Sequence, residues 1–369
     1  FDHEAVPTVP DAPNQAEIIS AIQTAMQPWS RYRFASPEDL AAMLAAVMTA
    51  ICRPALGISP GFFFDAPVQS SGKTKAAAAL GALVKGHRAG ITPFVSGPNA
   101  DTELVKKIVA MALNGESFCL FDNVVGLWRS PVLAALVTEG RINERILGGN
   151  QWYKGASRML ITATGNNASL DHDLGRRLIR IRIDPGVECP QARSFAFDPV
   201  DMVLTTRLAI AHAVLVLVQA FQAAGSPVLG RGDAGFSEWN RLVRRVVLWL
   251  QAEGYAEAAG YGPMGDPAHS ILEAASADDP DTEAARLLLI SLHETFNGKS
   301  FSAKEVFTLY STGRGEVFEA LHSILGRRDV TPVSVGRTLL NRRDKIVGGL
   351  VLRRMGDNRQ GALWIVVSC

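Results

Sequence analysis

Cysteine is scarce in this sequence: the 369 residues contain four, and no two of them form a C-x-x-C pair. This spacing argues against a zinc site and against a disulfide framework. Few, widely separated cysteines are compatible with the reducing cytoplasm, which is the predicted location. An excess of charge of one sign is also lacking, because 37 Lys and Arg face 36 Asp and Glu, for a net charge of +1. Any surface for nucleic acid must therefore come from local segregation of charge.

Long hydrophobic runs are few, and the sequence has no recognisable signal peptide. The most apolar stretch, residues 209–230, carries His212, Gln219 and Gln222 and ends in a Gly-Ser-Pro turn. Those polar residues favour a buried helix over a membrane span, so we expect no membrane partner. The sequence begins with Phe1 rather than Met, which predicts that an N-terminal domain of a longer protein is missing.

Hydrophobic residues, in contrast, make up 47% of the chain, which is enough for a core in each of about two or three domains. Short apolar runs alternate with helical patterns in the first half of the chain. The predicted strands are 61–67, 91–95, 117–122, 158–165 and 176–184, and the predicted helices between them are 73–86, 101–113 and 130–140. This alternation implies an α/β fold with a mostly parallel sheet flanked by helices.

The pattern changes on both sides of this α/β core, which defines the predicted domains. They are an N-terminal tail with helices (1–55), the core (56–198), a helical segment (199–265, helical throughout to 256), a polar, acidic linker with two prolines (266–282) and a smaller C-terminal unit (283–369). In the C-terminal unit, four predicted helices, the last over 334–346, precede two apolar strands joined by a turn. That order is typical of a winged-helix domain.

The segment "APVQSSGKT" (66–74) has the form of a phosphate-binding loop between a strand and a helix. Such a loop exposes backbone N–H groups at a helix start, and Gly72 permits close approach of the backbone to a phosphate. Lys73 is predicted to contact the phosphates and Thr74 to bind Mg²⁺, while Pro67 replaces the usual first glycine. The other predicted contacts are the loop residues Gln69, Ser70 and Ser71. The alternative is an ordinary serine-rich turn.

Two further strand ends carry polar residues that suit the same site. Asp122 follows the apolar run Phe118–Phe121, as the Mg²⁺-orienting aspartate of a Walker B strand does. Asn166 comes at the end of the strand in "ITATGNN" and is predicted to sense the γ-phosphate. Either strand end, taken alone, also fits an ordinary turn.

Arg176 and Arg177 stand just before the last predicted strand, at the edge of the sheet. An exposed arginine there can complete the nucleotide site of a neighbouring subunit as an arginine finger. The alternative is a solvated basic pair.

The segments "APVQSSGKT", "CLFDNV", "ERILGG", "TATGNN" and "DLGRRLIRIRID", in this order, resemble AAA+ ATPases. More closely, they resemble the ATPase part of primase–helicase proteins from phages, plasmids and integrated elements, which are related to superfamily 3 helicases. The resemblance covers about residues 16–369, and its core motifs are the most specific part. It implies a P-loop AAA+ core, a helical lid over 199–265 and a C-terminal winged-helix domain.

The function implied by this resemblance is that of an ATP-dependent DNA helicase, with ATP and Mg²⁺ as cofactors, in replication of a mobile element. Such a protein assembles as a ring, with six subunits the expected number, and moves on single-stranded DNA in a central pore. The winged helix is expected to hold duplex DNA. Two alternatives stay open: an ATP-driven loader or remodeller, and a nucleotide-gated DNA-binding initiator with little turnover.

The sequence departs from the AAA+ pattern at Asn123, where many members have a glutamate that polarises the attacking water. An amide orients water but does not accept its proton, so hydrolysis requires another carboxylate or is slow. Glu103 is the first candidate for this base and Glu139 the second. For both, the alternative is a solvated helix carboxylate.

Two regions are predicted to contact DNA. In "RINERILGGNQWYKGAS" (141–157), turn signals predict a β-hairpin or an extended loop. The resemblance implies a phosphate contact by Lys154, and Trp152 or Tyr153 either stacks on bases or braces the loop. Arg145 is predicted to face a nucleotide or a subunit interface. The alternative is a packed surface hairpin.

The second region is residues 327–359, with nine basic and three acidic residues, hence +6. Its predicted DNA contacts are Arg337, Arg342, Arg343, Lys345 and Arg359. The alternative is a charged surface for protein contacts. In the lid, Arg241, Arg244 and Arg245 are candidates for a γ-phosphate contact, against the alternative of a solvated basic face.

Overall fold

This computed structural model describes residues 8–97, 99–146, 150–186, 197–232, 234–276, 280–326, 330–358 and 361–368. The chain forms two compact units, Phe1–Ser276 and Ala277–Cys369. Each unit has its own hydrophobic core.

Besides two short 3₁₀ helices (Gln27–Trp29 and Arg53–Ala55), the described part of the first unit contains eleven α-helices, of which α8 and α9 are joined by a π turn over Asn240–Arg244. They are α1 (Gln15–Met26), α2 (Pro37–Cys52), α3 (Lys73–Lys85), α4 (Ala100–Leu113), α5 (Pro131–Glu139), α6 (His172–Gly175), α7 (Pro199–Ala223), α8 (Ser237–Trp239), α9 (Arg245–Ala252), α10 (Tyr255–Ala258) and α11 (His269–Ser276). Its strands are β1 (Gly61–Ala66), β2 (Thr92–Pro93), β3 (Phe118–Val124), β4 (Leu127–Trp128), β5 (Arg141–Arg145), β6 (Trp152–Ala156), β7 (Leu160–Asn166), β8 (Ser169–Leu170) and β9 (Leu178–Arg182).

The centre of the first unit is a five-stranded sheet in the order β2-β3-β7-β1-β9, in which every neighbouring pair is parallel. The predicted α/β fold with a parallel sheet is therefore confirmed. Phe62, Phe63 and Phe64 of β1 point alternately to the two faces, and all three are buried. Such a run without polar alternation is expected for a strand covered by helices on both faces. The C-terminal ends of β1, β3 and β7 lie side by side at one edge.

Helix α7 is 25 residues long and contains an 18-residue window with a mean hydropathy of 1.7, so by length and composition alone it could cross a membrane. Ile210, Val214 and Leu217 are fully buried, and the helix packs on α1 and α3. The helix ends at Ala223, because Gly225 and Ser226 adopt φ values of 83° and 50°. The apolar stretch 209–230, predicted to be a buried helix, is thus helical only in its first part. The predicted continuous helix over 199–256 is interrupted before α8.

The predicted linker 266–282 is instead mostly helical in its described part, because α11 lies within it and α12 begins at Pro280. Ala268 and Ile271 are buried in the core of the first unit. Of the two prolines that suggested a linker, Pro267 precedes α11 and Pro280 is the first residue of α12. Proline is well tolerated at a first helical position, because the N–H that it lacks would be unpaired there.

The second unit consists of four helices and a small antiparallel sheet in its described part. The helices are α12 (Pro280–Phe296), α13 (Ala303–Ser311), α14 (Glu316–Leu325) and α15 (Pro332–Asn341), and the strands are β10 (Phe301–Ser302), β11 (Ile346–Val347), β12 (Leu350–Asn358) and β13 (Gly361–Ser368). The sheet order is β10-β13-β12-β11. Leu339, Leu352 and Trp364 join the last helix and the β12–β13 hairpin in one core.

The last predicted helix, 334–346, is shorter than expected, because α15 ends at Asn341. Asp344 adopts φ 61°, in the left-handed region that aspartate tolerates but a helix excludes, and its N–H donates to the Leu352 carbonyl (2.9 Å). Arg342, Arg343 and Lys345 therefore follow the helix in a turn and do not extend its surface.

Candidate nucleotide-binding site and nucleic-acid surfaces

The predicted phosphate-binding loop connects β1 to α3 at the C-terminal edge of the sheet. Gly72 precedes the first residue of α3 and has φ 87°. A Cβ atom at Gly72 would lie 3.1 Å from the Tyr32 ring, and the Tyr32 hydroxyl donates to the Gly72 carbonyl (3.2 Å). Glycine is thus favoured by the left-handed backbone angle, and a Cβ atom would in addition be crowded by Tyr32. Burial raises the pKa of Tyr32, with the nearby Asp198 acting in the same direction, so the hydroxyl stays a donor.

Lys73 points from the first turn of α3 toward the end of β7. Its Nζ donates to Asn166 Oδ1 over 2.7 Å, and the side chain is mostly buried. Burial lowers the pKa of Lys73 from its usual value, while the carboxylates of Asp122 and Asp65 act in the opposite direction. The structure therefore brings two of the predicted site residues, one from the loop and one from β7, into direct contact.

Thr74 points toward the end of β3 in the same way. Its Oγ1 donates to Asp122 Oδ1 over 2.9 Å. The same carboxylate oxygen accepts a hydrogen bond from Thr164 Oγ1 over 2.6 Å. The hydroxyl and the carboxylate predicted to hold Mg²⁺ are thus adjacent, with Thr164 as a third partner.

The residues present suit a phosphate group and Mg²⁺. Ser71 Oγ is buried and has no hydrogen-bond partner in the described part of the chain, so a polar group of the loop is left for a ligand. Gln69 and Ser70 are exposed on the outer side of the same loop. The first turn of α3 presents backbone N–H groups, and the oxygens of Thr74 and Asp122 are ligands that Mg²⁺ prefers.

Asn123 is exposed directly after Asp122 and adopts φ 67°, a left-handed conformation that asparagine tolerates better than most residues. The two predicted bases lie elsewhere. Glu103 forms an ion pair with Lys106 (2.6 Å) on its own helix, and Glu139 is exposed at the end of α5. Within the described ranges, no hydrogen bond or ion pair joins either glutamate to Asp122.

A buried aspartate connects the loop to the edge strand of the sheet. Asp65, next to the last residue of β1, is fully buried and pairs with Arg180 (2.5 Å) and Arg182 of β9. Arg182 also donates to Asn167 Oδ1 (2.8 Å), and Asn167 Nδ2 donates to the Pro67 carbonyl (3.2 Å). The entry of the loop is thereby fixed to both neighbouring strands. Pro67 donates no N–H in this arrangement and only accepts.

Arg176 and Arg177 lie at the other end of the sheet from the loop. Both pair with Asp173, at 3.0 Å and 3.1 Å, and Arg177 Nε donates to Thr138 Oγ1 (2.7 Å). The hydrogen bond from Arg176, with the charge of Arg177, keeps the pKa of Asp173 below its usual value despite some desolvation. Leu178, the next residue, pairs with Gly61 at the start of β1, so these arginines do not meet Lys73 of their own chain.

The predicted hairpin is present as β5 and β6, which pair in antiparallel register. Lys154 lies opposite Asn143, and Trp152 lies opposite Arg145. These four residues share one face with Arg141, because alternate residues of a strand point the same way, and all five are exposed. Tyr153 points to the other face and packs against the core of the first unit. The structure thus assigns Trp152 to the exposed face and Tyr153 to the packed one.

The basic residues of the second unit surround the end of α15. Arg337 is exposed on α15, and Lys345 is exposed in the turn before β11. Arg342 Nη1 donates to the Thr338 carbonyl (3.3 Å), and Arg343 pairs with Asp344 (3.0 Å). Arg359, which is also predicted to contact DNA, lies outside the described residues.

The three arginines of the helical segment have different environments. Arg244 is fully buried and binds both carboxylate oxygens of Asp266, at 2.8 Å and 2.5 Å. It therefore joins the π turn to the segment before α11, and it is neither free to contact a γ-phosphate nor solvated. Arg241 and Arg245 line a groove between α7 and α9, away from the loop residues described above.

Four residues of this region were not predicted from the sequence: Thr164, Asp65, Arg182 and Tyr32. A polar residue inside an apolar strand is the available signal for Thr164 and Asp65, in "ITATGNN" and "GFFFDAP". The partner of the arginines of β9 is revealed only by the register of β9 with β1. For Tyr32 the sequence contains no signal, because its contact with Gly72 depends on how the N-terminal helices pack.

Comparison with known proteins shows only distant similarities. No family model and no curated protein matches this sequence. The solved structures with a similar arrangement include the C-terminal region of NrS-1, with a TM-score of 0.43 and 11% identity over 100% of this chain and 78% of that chain. They also include a JCV helicase bound to a small molecule, with a TM-score of 0.29 and 17% identity over 67% of this chain and 72% of that chain. These values are too low to assign the chain to a family.

Proposed function

We propose that the first unit binds ATP with Mg²⁺ and hydrolyses it. One observation carries this proposal: Lys73 and Thr74, neighbours on the loop, contact Asn166 and Asp122, which come from two different strands. A serine-rich turn without function would not require a buried lysine, a carboxylate and an amide to converge on a helix start.

Each side chain then has a specific task. The N–H groups of the first turn of α3 and the Lys73 ammonium bind phosphate oxygens, and Thr74 and Asp122 hold the metal. When bound, Mg²⁺ would neutralise charge on the β- and γ-phosphates. When a phosphate oxygen replaces Asn166 Oδ1 as the acceptor of the Lys73 hydrogen bond, Asn166 is released and orients the γ-phosphate or the attacking water. The contribution of the protein is mostly positioning and charge stabilisation.

A ring of subunits, with six the expected number, is the second part of the proposal. The position of Arg176 and Arg177 at the opposite end of β1 from the loop supports it. Strands rise roughly 3.3 Å per residue, so the two ends of β1 are about 17 Å apart, too far for these arginines to reach the loop of their own chain. We propose that one of them completes the site of the neighbouring subunit.

DNA is the proposed partner of the hairpin face, defined as Arg141, Asn143, Arg145, Trp152 and Lys154. Basic groups next to an exposed aromatic ring suit single-stranded DNA, since the ring stacks on bases of any sequence while the cations contact phosphates. The basic residues near α15 are proposed to hold duplex DNA, as expected for a winged-helix domain. With the resemblance to primase–helicases, this supports a cytoplasmic helicase acting in replication of a mobile element.

The test is ATP hydrolysis measured with and without single-stranded DNA, together with unwinding of a forked duplex. We expect turnover that DNA stimulates, unwinding that requires ATP, and loss of both in Lys73→Ala. Hydrolysis that persists in Lys73→Ala would contradict the assignment of the site. Electron microscopy with ATP and DNA tests the ring directly, because particles with DNA in a central pore are expected.

A second candidate is a nucleotide-gated DNA-binding initiator with little turnover, and Asn123 is the observation that favours it. In this function ATP changes the affinity for DNA without being consumed rapidly. ATP-dependent DNA binding without stimulated hydrolysis would select this candidate. Stimulated hydrolysis without unwinding would select a loader or remodeller instead.

A further inference from the structure

Thr164 of β7 is a fully buried hydroxyl at the centre of the candidate site. Its Oγ1 donates to Asp122 Oδ1 over 2.6 Å and accepts the backbone N–H of Asn123 over 3.1 Å. The hydroxyl therefore donates one hydrogen bond and accepts another, and both partners, Asp122 and Asn123, lie near the end of β3.

The pairing of β3 with β7 explains why a side chain is needed there. Phe121 pairs with Ala163 and Val124 pairs with Gly165, so β3 advances by three residues where β7 advances by two. This is a β-bulge, and at a bulge the regular ladder of backbone hydrogen bonds is interrupted. The Thr164 hydroxyl replaces part of that ladder by binding Asn123 N–H, and it holds the Asp122 carboxylate next to Thr74.

We propose that Thr164 is a positioning residue for Mg²⁺, acting through the Asp122 carboxylate; this inference rests on the proposed function. Asp122 Oδ1 receives hydrogen bonds from both Thr74 and Thr164. The Thr164 bond fixes the rotation of the carboxylate before the metal arrives. Without it the carboxylate keeps only the hydrogen bond from Thr74 and turns more easily, so part of the binding energy of the metal is used to order it.

Thr162 provides a matched control on the same strand. It lies two residues before Thr164, so its side chain points to the same face, and it is also fully buried. Its Oγ1 donates to the Cys119 carbonyl of β3 over 2.8 Å. The two threonines thus share strand, burial and partner strand. They differ because Thr162 donates to a backbone carbonyl, whereas Thr164 donates to the Asp122 carboxylate and also accepts the Asn123 N–H.

The experiment measures binding of a fluorescent ATP analogue to the full chain as Mg²⁺ is titrated, and repeats the measurement in excess EDTA. Loss of a partner that orients a metal ligand typically costs about 10- to 100-fold in metal affinity. Thr164→Val should therefore raise the Mg²⁺ concentration for half-maximal binding about tenfold. Thr162→Val should leave it close to wild type, and Thr164→Ser, which keeps the hydroxyl, should restore it. Binding in EDTA should be alike in all variants.

The inference is overturned if Thr164→Val and Thr162→Val require the same Mg²⁺ concentration, or if Thr164→Ser fails to restore it. It is also overturned if Thr164→Val weakens nucleotide binding equally with and without Mg²⁺. If the valine variants do not fold, Thr164→Ala and Thr162→Ala are compared in the same way. A wild-type chain that binds no nucleotide at all contradicts the proposed function itself and this inference with it.

Discussion

The nucleotide site and the hairpin face differ in how their side chains are held. At the nucleotide site, Lys73 and Thr74 are bonded to side chains of two other strands. On the hairpin face, Trp152 is 57% exposed, and Lys154 is exposed beside it. The candidate nucleotide site is thus held by hydrogen bonds within the protein, whereas the side chains of the hairpin face are exposed to solvent.

The two proposed ligands, a nucleotide and single-stranded DNA, place different demands on a binding site. Phosphoryl transfer depends on placement of charge to within a fraction of an ångström, so bonds between the protein groups themselves are useful. Single-stranded DNA of any sequence has no fixed shape, so stacking and charge suffice. Substitutions at the nucleotide site should therefore have large effects, and those on the nucleic-acid surfaces smaller, graded ones.

The largest effect is expected for Lys73→Ala, with Lys85→Ala at the other end of α3 as control. Truncating one partner of a buried, hydrogen-bonded charge contact costs roughly 2–5 kcal/mol, so nucleotide affinity should fall about 100-fold. Lys85 pairs with Glu116 at 2.5 Å, away from the loop, and its loss should leave nucleotide affinity unchanged. Equilibrium binding of a fluorescent ATP analogue checks both. Equal affinities for the ATP analogue in Lys73→Ala and Lys85→Ala would show that the hydrogen-bonded Lys73 is no more important for nucleotide binding than a lysine outside the site.

The next effect concerns Trp152→Ala, which should weaken binding of single-stranded DNA about tenfold, because stacking on one base contributes roughly 1–3 kcal/mol. Nucleotide affinity should not change. Tyr153→Phe, on the packed face of the same strand, is the control and should bind DNA as the wild type does. Fluorescence anisotropy with a labelled oligonucleotide measures all three. Stronger weakening in Tyr153→Phe than in Trp152→Ala would show that the other face contacts DNA.

Sequence patterns identified the central residues of the candidate nucleotide site better than the residues that support them. Lys73, Thr74, Asp122 and Asn166 could each be inferred because a loop motif and strand ends are local features. The partners Asp65 and Arg182 could not, since which residue of β9 lies beside β1 depends on register, and register is set by the packing of the whole sheet.

The boundaries of elements show the same limit. The prolines of 266–282 indicated a linker, but α11 is held in the first unit by burial of Ala268 and Ile271, a tertiary effect. The basic run after Asn341 continued the helical pattern, and only the backbone angle of Asp344 and its bond to β12 end the helix. Local propensity is a weak guide where distant contacts decide.

A smaller effect is expected for Asn123→Asp, which adds a carboxylate at the position after Asp122. Aspartate tolerates the φ of 67° as asparagine does, so the backbone should not change. If hydrolysis is slow because a base is missing, turnover should rise severalfold, less than the roughly 10²-fold of a well-placed base because the side chain is short. Asn123→Ala, without amide or carboxylate, is the control. No gain in Asn123→Asp would show that the base lies elsewhere.

The smallest effect is expected for Arg337→Gln on the exposed surface of α15, and it appears in the salt dependence rather than in a single affinity. Each phosphate contact adds about 0.9 to the slope of log affinity against log salt for duplex DNA, so this variant should lower the slope by roughly one. Lys299→Gln, exposed in the turn after α12, should leave the slope unchanged. Because nucleotide affinity depends on ordered, partly buried groups, neither substitution should alter it at any salt concentration. An equal change of slope in both variants would mean that the charge of the second unit attracts DNA without a defined contact surface around α15.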